Sequence, residues 1–377
     1  MDAGKLRLKL ILSVDALSPS LSGIGRYTWE LAKGLDQLKD IEQVLYFRAG
    51  HWVDNPATLL NENSTKSKRG IKYPRWAKKL YWQHVCKGQV FHAPNYFLPA
   101  FAENCVITVH DLSVFKFPET HPIERVRHFE REFTKSVTQS THVITDSQTT
   151  REEVIAFTGL PATQVTAVSL GVSENYMPRS IQDISPTLSK YNLKPSCYGL
   201  CVSTLEPRKK IENLLIAWQQ LPVKLRDTFP LILIGGFGWL CESLKMEIEL
   251  GEAKGWVRHL GYVPESDLPL IYAGATLFVY PSTYEGFGLP PIEAMAAGVP
   301  VVVSNQSCLP EVTQGAALMV NPEDIVNFTL AIEKGLTDES WRKKAILNGL
   351  TVASKYTWER CVDETASIYR QINIPKN

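Results

Sequence analysis

The stretch that decides the fold runs from Tyr284 to Val302 and reads YEGFGLPPIEAMAAGVPVV. It follows a short apolar run of β-forming residues at 276–280, which predicts a buried strand. Pro290 and Pro291 then favour the first turn of a helix, where a missing N–H costs nothing. The glycines between these elements therefore lie on a strand-to-helix loop, which is typical of parallel α/β sheets.

The residues of this loop suit a sugar and a phosphate. Gly286 and Gly288 let the backbone approach a ligand, and the N–H groups of the following helix attract an anion. Glu285 on the loop and Glu293 in the first turn of the helix would accept hydrogen bonds from hydroxyls. We interpret the stretch as a site for a nucleotide sugar, in which phosphates join two hydroxyl-rich rings. The alternative is an ordinary loop with solvated glutamates, because an isolated glycine-rich motif is a weak signal.

A second segment carries three consecutive cations, Arg208, Lys209 and Lys210, directly after a predicted strand. Ligands of α/β sheets bind at the carboxyl ends of the strands. Arg208 can donate a forked pair of hydrogen bonds to phosphate oxygens, and Lys209 acts as a compact point charge. These cations are expected to neutralise a departing diphosphate. A solvated basic turn is the alternative.

The run from Tyr280 to Val303, with its Glu-x7-Glu spacing and Gly-Phe-Gly-Leu-Pro core, resembles the signature of the retaining family-four glycosyltransferases. The resemblance implies the GT-B architecture, in which two Rossmann-like α/β domains face each other across a cleft. It also implies that Arg208 and Lys209 hold the pyrophosphate, although Ser203 replaces the usual glycine. The predicted donor-binding residues are Gly23, Gly25, Ser203, Arg208, Lys209, Gly261, Tyr262, Val263, Glu285, Gly286, Phe287, Gly288, Leu289 and Glu293.

The first half of the chain adds histidines at strand ends. His110 follows the predicted strand 105–109, and the resemblance implies that it contacts the donor sugar near the reacting carbon. His92 ends an earlier strand and could line the acceptor side. The loop with Gly23 and Gly25 could approach a phosphate or the acceptor, but it fails as a dinucleotide-binding fingerprint because Thr28 occupies the third glycine position.

The alternation of apolar runs with longer amphipathic segments predicts two parallel sheets covered by helices, and 377 residues exceed what one core usually serves. Strands are predicted at 8–14, 44–48, 90–92, 105–109, 142–145 and 165–169, and then at 198–202, 231–234, 257–260, 277–280 and 299–303. We assign 1–175 to an acceptor domain, 176–196 to a linker and 197–356 to a nucleotide-sugar domain. The resemblance implies that the helix in 357–377 returns to the first domain.

Composition excludes several classes of protein. The 40 Lys and Arg residues nearly balance the 39 Asp and Glu residues, which argues against a whole-surface nucleic-acid binder. The seven scattered cysteines indicate reduced thiols in a cytoplasmic protein. The chain lacks a signal-peptide pattern and an apolar run long enough to span a membrane. A basic, aromatic segment from Lys66 to Lys79 suits an anionic membrane surface, or else forms a solvated loop and helix face.

The segments around His110, Thr145 and Arg208 look most like bacterial mannosyltransferases of polysaccharide assembly. We therefore expect a hexose, first of all mannose from GDP-mannose, to be transferred with retention to a hydroxyl of a glycan or lipid-linked saccharide. Glu285, His110, Arg208 and Lys209 are the expected catalytic residues. We expect no cofactor and no metal, since the chain contains no Asp-x-Asp triplet. The alternatives are a UDP-hexose donor, a sugar-nucleotide epimerase of the same fold and a non-catalytic glycan-binding protein.

Overall fold

The computed structural model describes residues 8–61 and 75–373, and of residues 75–79 it describes the helical backbone alone. The segment from Lys66 to Lys79 thus lies outside the described residues apart from that backbone. The described chain forms two compact units. The first contains the residues up to Leu112, then Glu124–Gly171, and those from Trp358 onward. The second contains Ser113–Ile123 and Val172–Thr357.

Each unit is built on one sheet. Over the described residues the first sheet has seven strands in the order β3-β2-β1-β4-β5-β6-β7, all parallel to their neighbours except β3. The second has six parallel strands in the order β10-β9-β8-β11-β12-β13. The strands are β1 (Leu8–Ser13), β2 (Ile41–Arg48), β3 (His51–Val53), β4 (Val90–Ala93), β5 (Cys105–Val109), β6 (His142–Thr145), β7 (Val165–Ala167), β8 (Gly199–Val202), β9 (Leu231–Ile234), β10 (Val257–His259), β11 (Leu277–Tyr280), β12 (Val301–Ser304) and β13 (Leu318–Val320).

Helices cover the sheets, and short 3₁₀ turns lie at Pro56–Leu60, Pro118–Thr120, Ala162–Gln164 and Pro207–Lys209. The helices are α1 (Gly23–Leu35), α2 (Arg75–Cys86), α3 (Ser113–Lys116), α4 (Ile123–Gln139), α5 (Gln148–Thr158), α6 (Ile181–Lys190), α7 (Ile211–Gln220), α8 (Val223–Thr228), α9 (Glu242–Ala253), α10 (Leu268–Ala273), α11 (Leu289–Ala296), α12 (Leu309–Thr313), α13 (Ile325–Thr337), α14 (Glu339–Ala353) and α15 (Trp358–Ile372). None of these described helices is long and apolar enough to cross a membrane.

The central strands form because both of their faces are buried. Every residue of β4, β5, β6, β9, β11 and β12 is buried, as expected for parallel strands between two helical layers. In the second unit, the ring of Trp218 on α7 packs directly over Gly199, where a Cβ would overlap it. The glycine at the start of β8 thus lets α7 pack closely against the sheet.

The last helix belongs to the first unit. α15 packs against α1, and a Cβ at Gly34 would lie 2.5 Å from Cγ2 of Val362. Nδ1 of the buried His92 lies 2.6 Å from the hydroxyl of Tyr369, and its Nε2 lies 2.9 Å from Oγ1 of Thr108. His92 is completely buried, so the expectation that it lines the acceptor side is wrong: it ties α15 to the core.

Two short strands and one helix depart from the predicted elements. β3 and β13 have three residues each and lie at sheet edges, where most of their side chains are partly or fully exposed. The predicted linker 176–196 contains α6, which begins with a capping box between Ser180 and Asp183 and packs against α10. Its prolines suggested a break in regular structure. Burial of Ile184 and Leu188 holds the helix despite Pro186.

The segment Ser113–Ile123 falls within the predicted first domain, yet it belongs to the second compact unit. The ring centroids of Phe117 and Tyr284 lie 5.3 Å apart, and the indole N–H of Trp239 donates to the carbonyl of Thr120. These aromatic contacts explain the assignment. The chain therefore leaves the first unit after β5 and re-enters it at α4.

The order of the second sheet creates a topological switch point. From β8 the chain proceeds outward through β9 and β10, and from β11 it proceeds in the opposite direction through β12 and β13. β8 and β11 are neighbours, so the loops that follow them diverge. In open α/β sheets such a point leaves a crevice at the carboxyl ends of the strands, and ligands bind there. The residues after β8 and β11 are therefore the first place to seek a site.

Candidate active site

Two loops supply the side chains at the switch point of the second sheet. The loop after β8 leads through the 3₁₀ turn Pro207–Lys209 into α7. The loop after β11 leads through Glu285 to Gly288, which adopts a positive φ of 93° and precedes α11. The positive φ favours glycine, and a Cβ at Gly288 would lie 2.8 Å from Cδ2 of Leu309, so the Leu309 side chain would have to shift.

The side chains of both loops meet in a buried cluster, here called the ion cluster, formed by Glu206, Arg208, Lys209, Tyr280 and Glu285. The ammonium of Lys209 donates to Oε1 of Glu285 and lies 3.2 Å from the hydroxyl of Tyr280. The Tyr280 hydroxyl donates to the same carboxylate over 2.8 Å. Nη1 of Arg208 lies 3.6 Å from Oε2 of Glu285, and Nη2 donates to Glu206 over 2.7 Å.

Glu285 is ionised in this environment. Burial raises the pKa of its carboxyl, but the charges of Lys209 and Arg208 outweigh burial and lower the pKa from 4.5 to about 2. The pKa of Tyr280 is raised, first by burial and then by the Glu285 charge, so its hydroxyl stays protonated and donates. At neutral pH the carboxylate therefore accepts hydrogen bonds and has no proton to give.

The backbone of Glu285 is fixed by the loop after β12. Oγ of Ser307 donates to the Glu285 carbonyl over 2.7 Å and accepts from the Glu285 N–H over 3.2 Å. The thiol of Cys308 donates to the carbonyls of Glu285 and Phe287, both over 3.2 Å. Phe287 itself is buried, with its ring centroid 5.4 Å from that of Tyr356. Glu285 is thus held in place through both its carboxylate and its main chain.

Glu293 lies farther along α11 than expected. The helix begins at Leu289, so Glu293 falls in the second turn and the prediction of the first turn is wrong. The reason is that the helix begins at Leu289, one residue before the prolines, directly after Gly288. Oε2 of Glu293 accepts from the hydroxyl of Tyr272 over 3.0 Å. The two glutamates therefore occupy different surroundings.

The ends of β8, β9 and β10 are joined at their carboxyl edge. Gly235 has a φ of 130°, and a Cβ there would overlap the carbonyl oxygen of Ser203. The Gly235 N–H donates to the carbonyl of Gly261 over 2.9 Å. Beyond Gly261, Val263 is buried, whereas Tyr262 is 66% exposed. The structure thus gathers Ser203 and the loop Gly261–Val263, both expected to bind the donor, at one edge of the sheet.

In the first unit, α1 begins at Gly23, and the N–H of Gly25 donates to the capping hydroxyl of Ser22 over 3.2 Å. His110 is 7% exposed. Its Nδ1 lies 2.7 Å from Oδ2 of Asp146, and its Nε2 lies 2.8 Å from the carbonyl of Pro94. A hydrogen bond from either ring nitrogen to a sugar would have to replace one of these contacts.

Comparison with known proteins identifies the family of this chain. Residues 21–176 match the family profile described as Glycosyltransferase Family 4, and residues 191–351 match that of Glycosyl transferases group 1. The chain is 39% identical to the O-antigen chain mannosyltransferase B of Escherichia coli over 384 residues, which cover 96% of this chain and 100% of the relative. The chain belongs to the family-four glycosyltransferases.

More distant relatives agree with this assignment. The transferase is 26% identical to the O-antigen chain mannosyltransferase RfbU of Salmonella typhimurium, over 86% of this chain and 90% of that one. Among solved structures, Anabaena HepE in complex with UDP-glucose superposes with a TM-score of 0.74 at 18% identity, covering 97% of this chain and 100% of that one. Sucrose-phosphate synthase from Thermosynechococcus elongatus gives 0.70 at 20%, covering 97% and 99%. These likenesses show the GT-B fold.

Sequence reasoning missed several partners in the transferase site. Tyr280 reads as the last aromatic residue of a buried strand, and Glu206 as part of a polar turn. Ser307 and Tyr272 lie on other elements, and nothing in their local sequence connects them to the glutamates. By contrast, Lys210 points away from the ion cluster and pairs with Glu323 over 3.1 Å at the surface.

We expect Glu285→Gln to remove an acid-sensitive contribution to stability. Because the folded pKa of Glu285 is lowered, this contribution is complete above pH 4.5 and disappears as pH falls towards 2. It amounts to about 3 kcal/mol. Urea unfolding at several pH values should show wild type exceeding the variant by that amount at pH 7, with the difference shrinking below pH 4.5. Glu323→Gln, at the exposed pair with Lys210, is the control and should change stability by less than about 0.5 kcal/mol. A pH-independent difference for Glu285→Gln would contradict the assignment.

We expect Tyr280→Phe to leave the fold intact and to lower stability by about 2 kcal/mol, since a charged acceptor loses one hydrogen bond. Turnover should fall with it, because the Glu285 carboxylate is then less firmly oriented. Tyr272→Phe is the matched control, since it removes the corresponding hydroxyl from Glu293. Thermal unfolding and steady-state kinetics measure both effects. Unchanged turnover in Tyr280→Phe would show that the hydroxyl has no part in orienting Glu285.

Proposed function

We propose that this glycosyltransferase moves mannose from GDP-mannose to a hydroxyl of a glycan or lipid-linked saccharide, with retention at the anomeric carbon. The observation that carries the proposal is the ion cluster at the switch point of the second sheet, in a chain 39% identical to an O-antigen chain mannosyltransferase. The name of that relative supports mannose and a polysaccharide acceptor.

Glycosyl transfer from a nucleoside diphosphate requires stabilisation of the departing charge. Negative charge grows on the diphosphate while the sugar becomes cationic, so catalysis relies on fixed charges and dipoles. In the ion cluster, Arg208 and Lys209 are balanced by two carboxylates, Glu206 and Glu285. We propose that the diphosphate becomes a further acceptor for these cations, whose position is set before the donor arrives.

The start of α11 contributes to the same step in a restricted way. Pro290 and Pro291 have no N–H, so the donors left near the helix start are those of Leu289 and Ile292, with Gly288 just before them. We propose that these N–H groups and the helix dipole bind phosphate oxygens, together with Gly286 and Phe287 on the loop. The prolines keep the helix start rigid while they reduce the number of donors.

The two glutamates have separate roles in this proposal. Glu285 remains an acceptor at neutral pH, so it orients sugar hydroxyls and does not act as a general acid. Glu293 accepts the ribose hydroxyls. The loop Gly261–Val263 lies beside the base. Since the chain has no Asp-x-Asp triplet and already places Arg208 and Lys209 for the diphosphate, we propose that transfer needs no metal.

A UDP-hexose donor is the second candidate, because HepE, whose fold is similar, was solved in complex with UDP-glucose. A thermal-shift series with GDP, UDP and ADP separates the two donors, since binding to the native state raises apparent stability by mass action. We expect a selective shift with GDP. A selective shift with UDP would contradict GDP-mannose as the donor. The absence of a shift with any nucleotide would contradict the assignment of the site itself.

Neighbouring lysines offer a matched pair of variants for an assay of sugar transfer. Lys209→Gln removes a cation of the ion cluster and should lower kcat by about 100-fold or more, the usual effect of losing one preorganised electrostatic donor. Lys210→Gln removes the same charge from a surface pair and should leave kcat near the wild-type value. Transfer is followed with labelled GDP-mannose, and NMR of the product compares its anomeric configuration with that of the donor. Equal kcat values for the two variants would contradict the assigned role of Lys209.

We further propose that this glycosyltransferase is cytoplasmic and contacts an anionic membrane through the segment from Lys66 to Lys79. Support comes from its basic and aromatic composition, and from Leu80 and Tyr81 directly after it, which are 58% and 53% exposed. Vesicle flotation measures the contact. We expect binding to vesicles that contain anionic lipid, loss of binding at high salt, and no binding to neutral vesicles. Equal binding to both kinds of vesicle would contradict an electrostatic contact.

A further inference from the structure

We propose that Asp146 is a positioning residue that holds His110 as a buried imidazolium at the carboxyl end of β5. The two residues follow neighbouring strands of the first sheet, and Asp146 was not among the expected site residues. Both residues belong to the first unit. The proposal rests on the proposed function only where it links the charge of His110 to turnover.

The hydrogen-bond geometry fixes one proton of the ring. Nε2 of His110 lies 2.8 Å from the carbonyl oxygen of Pro94, which can only accept, so Nε2 carries a hydrogen. In the neutral ring, Nδ1 would then be an unprotonated acceptor 2.7 Å from the carboxylate oxygen of Asp146. Two acceptors repel each other at that distance. A proton on Nδ1 removes the repulsion and creates a charge-assisted hydrogen bond.

The surroundings favour the cation as well. The ionisable side chains near the pair come from α1, β4, the loops after β4 and β5, and α15: they are Tyr27, His92, Tyr96, Asp111, Cys361 and Tyr369. Burial raises the pKa of the tyrosines and the cysteine and lowers that of His92 to about 3, so all of these are neutral at pH 7. Besides Asp146, the charge that acts on His110 is the carboxylate of Asp111, while the guanidinium of Arg125 on α4 acts on the neighbouring Tyr96.

The net effect on His110 has a definite direction. Burial lowers the pKa of the ring, but the Asp146 charge and its hydrogen bond outweigh burial, and the pKa is raised above 6.5. The stabilisation from the pair is therefore complete below pH 6.5 and is lost as pH rises through the raised pKa. Burial also raises the pKa of Asp146, and the imidazolium opposes that rise.

Aromatic packing also fixes the orientation of the His110 ring. The ring centroids of Tyr27 and Tyr96 lie 5.4 and 5.8 Å from that of His110, both edge to face. The hydroxyl of Tyr96 accepts from the N–H of Asp111 over 3.1 Å, which fixes the next residue of the loop. Both N–H groups of the imidazolium point to protein acceptors. His110 thus acts by its charge and by the backbone it positions, and it is not a proton donor to the substrate.

The charge state can be read without any donor sugar. The full-length protein is labelled with ¹⁵N-histidine, and His110→Gln identifies the His110 signals among those of the eight histidines. We expect both ring nitrogens to show imidazolium shifts at pH 7 and to titrate above 6.5. His142 is an internal reference, since burial lowers its pKa. A neutral His110 ring in wild type at pH 7 overturns the proposal, whether or not any variant folds.

Variants assign the effect to Asp146. In Asp146→Asn the amide can still donate to an unprotonated Nδ1, so we expect a folded protein whose His110 is neutral at pH 7, with its pKa moved below 6.5. Asp111→Asn removes a neighbouring charge but keeps the hydrogen bond, and should leave His110 charged at pH 7. An Asp146→Asn protein that keeps the imidazolium shifts overturns the role of Asp146.

The pH profile of kcat then tests the link to turnover. Wild type should lose activity on the alkaline side with the pKa that NMR gives for His110. In Asp146→Asn this limb should move to lower pH, so that kcat at pH 7 falls on the order of tenfold and recovers as the medium is acidified. A residue that merely supports the fold would change kcat without moving the limb, and that result would overturn the positioning role. Failure of the GDP-mannose assignment would leave the NMR result untouched.

Discussion

The site depends on one buried ion pair, between the ammonium of Lys209 and the carboxylate of Glu285. The two residues follow different strands, β8 and β11, which lie side by side although 76 positions separate their side chains in sequence. A buried carboxylate is costly without a partner, so the pair couples the two loops at the switch point. Arg208, Glu206 and Tyr280 complete the coordination of the charges, and Ser307 and Cys308 hold the backbone. The positions of these side chains therefore follow from the need to neutralise buried charges inside an apolar unit.

The arrangement also suits the diphosphate that we propose as the ligand of these residues. A site that carried uncompensated cations would destabilise the folded protein by self-repulsion and desolvation. The ion cluster avoids this because carboxylates are built in beside the cations. It keeps the groups proposed to bind phosphate oriented at little cost in stability. Glu293 lies outside the ion cluster and accepts a hydrogen bond from Tyr272. Charge compensation also operates in the first unit. There the carboxylate of Asp146 stabilises the cation of His110.

The sequence predicted the central strands well because their apolar runs are continuous and both faces are buried, as in β5 and β11. It failed at β3 and β13, which are only three residues long and mostly exposed at the sheet edges, and at α6, where Pro186 suggested a break that capping and burial overcome. In the site, the residue types of Arg208, Lys209 and Glu285 were informative one by one. Their mutual pairing was not, because it depends on strand order. The resemblance to a family supplied expected roles, whereas partners such as Tyr280 and Asp146 required the structure.

The path of the chain between the two units affects the order in which the protein folds during synthesis. The chain passes between the units after Leu112, after Ile123, after Gly171 and after Thr357, so neither unit is a single continuous segment. During synthesis, the first sheet emerges from the ribosome long before α15, which supplies the Tyr369 hydroxyl for His92 and fills the groove at Gly34 with Val362. The first unit therefore completes its core last. Domain exchange between relatives at a single crossover point would separate α15 from the core it closes, so a working chimera needs the terminal helix and the first sheet from the same parent.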